Sequence, residues 1–159
     1  MDLGSILIGV AFMAICISPF LITYINNTKK SKNILLSLKN LANENQCQIT
    51  KYECSGNISI GMDEIRNKLF FVKQSDNEAI FREIDLKQVR VCLANIVTRS
   101  VKGSSGVISL VELNFLNHSK QPDFTIELYN EQQNTITNGE PLLSKKWSEI
   151  INNKIKQLI

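Results

Sequence analysis

From Leu3 to Ile25 the chain carries no charged side chain, and beyond Lys29 apolar and polar positions alternate in short stretches. The first run predicts a transmembrane helix. Its 23 residues span roughly 34 Å at about 1.5 Å each, enough to cross a hydrocarbon core of about 30 Å. Ser18-Pro19 inside the run predicts a kink, because proline removes a helix hydrogen bond. Further on, Ile34, Leu35, Leu38, Leu41 and Ala42 recur at helical spacing. They predict a juxtamembrane amphipathic helix within residues 29–46, whose apolar stripe by default packs on its own domain.

From Cys47 the period shortens to two. Strands are expected at Gln48 to Glu53, Ile58 to Met62, Lys68 to Val72, Ala79 to Leu86, Val89 to Arg99, Val107 to Asn117 and Phe124 to Tyr129. In the fifth, Val89, Val91 and Leu93 are expected on one face. Ser55-Gly56-Asn57, Gln74 to Glu78, Lys102-Gly103-Ser104-Ser105-Gly106 and Asn117 to Pro122 read as the intervening loops. Gly139-Glu140-Pro141 then opens a helix, proline being tolerated in the first turn. Leu143, Trp147, Ile150, Ile151, Ile155 and Leu158 form its apolar stripe. The expected fold class is α+β: an N-terminal transmembrane helix, then seven antiparallel strands in a barrel or sandwich, capped by a C-terminal amphipathic helix. Three parts follow: residues 1–28 as anchor, 29–46 as helical linker and 47–159 as soluble domain.

Charge sets the expected orientation. Lys29, Lys30 and Lys32 follow the apolar run, and no basic residue precedes it. The positive-inside rule then places a single-pass protein in the cytoplasmic membrane, N-terminus outside and domain in the cytoplasm. A cleaved signal peptide would want a basic start and a shorter apolar core. Lys29, Lys30, Lys32 and Lys39 are candidate lipid-headgroup contacts, besides setting topology. Excluding Asp2, 18 basic side chains face 14 acidic ones, too mild an excess for nucleic-acid binding. The cysteines Cys16, Cys47, Cys54 and Cys92 contain no Cys-x-x-Cys pair, and His118 is the sole histidine. A structural metal is therefore not expected, and an odd set of three cysteines beyond the apolar run suits reduced thiols.

Seven short strands closed by one amphipathic helix is the element order of pleckstrin-homology-like domains. Ile60-Gly61-Met62-Asp63 running into Asn67-Lys68-Leu69-Phe70-Phe71 resembles the first hairpins of uncharacterised bacterial proteins of that superfamily. Gly139-Glu140-Pro141, Lys146-Trp147 and Ile150 resemble their closing helix. The resemblance covers roughly residues 47–159 and implies a binding or docking module. In eukaryotic members a basic pocket in early strand loops holds phosphoinositides. Here the loop Gln74 to Glu78 carries Asp76 and Glu78, and Lys68, Lys73 and Arg82 form no dense cluster, so that specificity is not carried over.

No side-chain set makes a catalytic, cofactor-binding or metal site. His118 stands in a polar loop without an orienting partner. Ser104-Ser105 lacks the Gly-Lys-Ser/Thr ending of a phosphate loop. Asp63-Glu64 and Glu83 with Asp85 read as solvated strand ends, and Trp147 as core. The function expected is a membrane-tethered, non-enzymatic interaction module with a protein partner, working through an exposed strand edge or the loop ends. The alternative is an accessory subunit of a larger membrane complex, a transporter or secretion apparatus, contacted through the transmembrane helix.

Overall fold

The computed structural model describes residues 31–75, 78–101, 104–117, 122–133 and 139–158. The expected span at residues 3–25, with Lys29, Lys30 and His118, lies outside them. Among the described residues no helix is long and apolar enough to cross a membrane. Helix α1 (residues 31–44) leads into strands β1 (Lys51–Ser55), β2 (Ile58–Asp63), β3 (Lys68–Gln74) and β4 (Ala79–Asp85). A short 3-10 turn, Leu86–Gln88, passes the chain to β5 (Val91–Val101), β6 (Ser104–Leu116) and β7 (Pro122–Asn130), and α2 (Glu140–Lys156) follows. All pairings are antiparallel, in a four-stranded sheet β1-β2-β3-β4 and a three-stranded sheet β5-β6-β7. The fold is thus α+β, with two antiparallel sheets and a C-terminal helix.

Period two in β2 and β3 sends Ile58, Ile60, Met62, Leu69 and Phe71 inward. They meet Cys92, Val111, Leu113, Phe115, Ile126 and Leu128 from the second sheet. Helix α2 covers this core with Leu143, Trp147, Ile151 and Ile155. Four polar contacts from three of its side chains help hold α2 in place. The indole N–H of Trp147 donates to Glu53 Oε2 on β1 at 3.1 Å, and Lys146 Nζ lies 2.8 Å from that oxygen. Asn152 bonds both backbone groups of Cys92, its Oδ1 accepting at 2.8 Å and its Nδ2 donating at 2.7 Å.

The centre of the four-stranded sheet, on β3, is buried on its outer face too. Ile34, Leu38 and Ala42 of α1 pack with Cys47, Phe70 and Val72. The approach is close: a Cβ added at Gly61 would lie 2.9 Å from Leu38 Cδ2 and 3.0 Å from Ile49 Cγ2. Glycine at 61 is what lets the helix sit there.

The expected elements shift at several ends: Ser55 joins β1, Gln74 joins β3, and Leu86 leaves β4 for the 3-10 turn. The first strand starts later, at Lys51, because Gln48 N–H is engaged by Asp63 Oδ2 and only Thr50 N–H reaches the Met62 carbonyl. Ser104 to Gly106 belong to β6, since Val101 pairs Ser104. Pro122 is likewise in β7, paired with Leu116. On β5 the core side is Cys92, Ala94 and Ile96, while Leu93 is exposed. Val89 is buried ahead of the strand, where its N–H caps the 3-10 turn by donating to the Leu86 carbonyl.

Candidate functional site

Strand edges offer unpaired backbone N–H and C=O groups, so binding capacity in a two-sheet fold resides at its four outer strands, β1, β4, β5 and β7. The β5 edge is occupied at Cys92 by the Asn152 amide. On β7, Lys73 Nζ reaches the Glu127 carbonyl at 3.5 Å and its Oε1 at 3.2 Å. Lys73 is nearly sealed from solvent, and Asn130 Nδ2 donates to the other Glu127 oxygen at 2.9 Å, so this group ties β3 to β7. The β1 edge bears Lys51 and Tyr52 and is flanked by α2 through Glu53.

Strand β4 differs. It is an outer strand of its sheet, and Ala79, Ile80, Phe81 and Arg82 are all exposed. Ile80 pairs with Lys73 and Phe81 with Val72, which puts their side chains on opposite faces at the edge. Between Phe81 and α1 lies an open groove of about 420 Å³ lined by Ser37, Asn40, Leu41 and Glu44. Arg82 folds back so that its Nη1 donates to the Phe81 carbonyl at 3.0 Å, and it forms no ion pair with a described residue. An arginine set against its own edge is a guard against indiscriminate strand pairing.

The other sequence-singled residues are spent on structure. Lys68 pairs with Glu83, so Lys68, Lys73 and Arg82 point to three different partners and make no anion pocket. Asp85 accepts from Lys87 N–H and starts the 3-10 turn. Asp63, read as solvated, is buried and accepts N–H bonds from Gln48, Ile65 and Arg66 at 2.8–2.9 Å. Its burial raises its pKa, but these three bonds and the nearby Arg66 charge outweigh that and hold the carboxyl below its ordinary 3.8. Cys47, Cys54 and Cys92 are free thiols. Burial raises the pKa of Cys47 and pushes Cys92 up to about 12, so both stay protonated and unreactive at neutral pH. Among the described residues no cluster of histidine, cysteine or carboxylate side chains could hold a metal. Lys32 and Lys39, two of the lipid-contact candidates, are both exposed on α1, and Lys39 Nζ lies 5.7 Å from the centre of the Tyr52 ring.

The β4 edge could not be read from the sequence. Its one local signal was two adjacent large apolar residues, Ile80 and Phe81, where alternation expects one. No protein family, curated protein or solved structure matches this chain.

Proposed function

We propose that this chain is a membrane-tethered, non-enzymatic interaction module that captures an extended segment of a partner protein along β4. The observation that carries the reading is the open β4 edge, with Ile80 and Phe81 exposed on its two faces beside the α1 groove. A partner strand would gain backbone hydrogen bonds from the edge and an apolar contact in the groove. Arg82 supplies the selectivity: a carboxylate on the partner draws the guanidinium off the Phe81 carbonyl and frees that acceptor. The uncharged run from Leu3 to Ile25 supports the tether. Four strands, three strands and a closing helix, in that order, support the pleckstrin-homology-like reading of the domain.

The test is affinity capture from detergent-solubilised membranes with the full chain and an Ile80→Lys/Phe81→Lys variant. Ile80 and Phe81 are 39% and 44% exposed, so the double variant is expected to cost about 1 kcal/mol and to remain folded, which its melting curve checks. A specific partner retained by the wild type and lost by the variant is the expected result. A partner captured equally by both sinks the β4 reading. Replacing residues 1–28 with an unrelated anchor separates the alternative, an accessory subunit held by its span, since only that one loses its partner by the exchange.

A further inference from the structure

The side of the molecule opposite β4 carries a different chemistry. On α1, Lys32, Leu36 and Lys39 are spaced four and three residues apart and share one exposed face. Leu36 is 59% exposed although it belongs to a helix whose neighbouring stripe is fully buried. Lys39 leans over Tyr52 on β1, itself 50% exposed. Beside Tyr52 in sequence, Glu53 holds Lys146 of α2, and the first turn of that helix presents Leu142, 74% exposed. A Cβ at Gly139, the residue before α2, would sit 3.8 Å from Ser55 at the end of β1. Strand β1 therefore carries the first turns of α2 on its inner side. On its outer side Cys54 packs against the α1 cluster that contains Ile34. Two leucines, one tyrosine and three lysines thus belong to elements that meet along one edge of the domain.

Chain length fixes what lies near that edge. Five residues, 26–30, separate the expected span from residue 31. Even fully extended, the link from Ile25 to residue 31 reaches only about 20 Å. The start of α1 is therefore held close to the headgroup layer, and the surface beside it is confined there. We propose that the β1-side band formed by Lys32, Leu36, Lys39, Tyr52, Leu142 and Lys146 lies on an anionic lipid bilayer, an inference that rests on the membrane-tethered reading above. Leucine side chains enter the interface, tyrosine sits at headgroup level, and Lys32 and Lys39 snorkel toward phosphate. Lys146 keeps its bond to Glu53 at the border, which orients it along β1 rather than into the layer.

The experiment uses the full chain reconstituted into phosphatidylcholine vesicles with and without phosphatidylglycerol. A dye is attached at Leu36→Cys or Leu142→Cys, with Phe81→Cys as the reference site and a nitroxide quencher carried on lipid headgroups. Expected is strong quenching at positions 36 and 142 and little at 81, greater with the anionic lipid. Replacing Lys32 and Lys39 with Gln shifts the lipid-engaged population about fivefold per lysine. Equal quenching at all three sites, or none at 36 and 142 while the chain resists alkaline extraction, overturns the proposed face and leaves the tether standing. A chain released by alkaline extraction overturns the tether and this proposal together.

Discussion

Asp63 shows how one residue can matter structurally while looking unremarkable in sequence. Its carboxylate closes the β2–β3 turn by accepting from Ile65 and Arg66, and fixes the entry to β1 by accepting from Gln48. The folded state holds its pKa below the ordinary 3.8, whereas the unfolded chain does not. The ionised form therefore adds stability above the unfolded value, and that contribution is lost as pH falls through the folded one. Asp63→Asn should cost about 2 kcal/mol near neutral pH, in line with hydrogen bonds to a charged group. Urea denaturation should show the gap between wild type and variant shrinking below about pH 4; a gap unchanged by acid would mean the charge is not what stabilises the turn. The bond from Gln48 crosses 15 residues, so reading Asp63-Glu64 locally as a strand end missed it. By contrast Trp147 was readable as core because Leu143, Ile150, Ile151 and Ile155 share its apolar period.

At the level of elements, periodicity carried most of what was legible. Spacing and turn residues place the seven strands and two helices found among the described residues to within a few positions, because most of them bury one face and repeat with their own period. What spacing does not contain is the partner. The stripe Ile34, Leu38, Ala42 could have met lipid, another chain or its own domain; packed on Phe70 and Val72, it makes α1 part of the fold. The same contact explains why β3 reads as an unbroken run, Leu69-Phe70-Phe71-Val72: it is buried on both faces. On β5 the strand register shifts between Val97 and Thr98, and its core face is set by long-range pairing with β6, which local alternation could not reveal. The α1 contact is testable at Gly61. An added methyl in Gly61→Ala meets Leu38 Cδ2, Ile49 Cγ2 and, at 3.2 Å, the Lys51 carbonyl. Overpacking of this kind should destabilise the domain by about 1–3 kcal/mol. Faster hydrogen exchange in α1 than in α2 should accompany it, and an undiminished melting temperature would show that the helix can slide to make room.

Considered as a whole, the four-stranded sheet has two outer strands with opposite character. Three strand spacings of about 4.8 Å put β1 and β4 about 14 Å apart. In the proposed arrangement, a bilayer held along β1 by a short link leaves β4, with Ile80, Phe81 and Arg82, turned toward the side from which a partner would arrive. The two surfaces then act independently in chemistry but not in geometry, because the link that confines one also orients the other. Lengthening that link tests the arrangement directly. A flexible insertion of about ten Gly/Ser residues between Asn27 and Thr28 lowers the effective concentration of the β1-side band at the headgroups, since a longer tether confines less. Headgroup quenching at Leu142 should fall, while capture of a partner through β4 from detergent-solubilised membranes should persist, because detergent removes the bilayer and leaves the edge unchanged. Quenching that survives the insertion would mean that the band holds lipid by its own affinity. Loss of capture instead would mean that the segment before α1 contributes to the partner site.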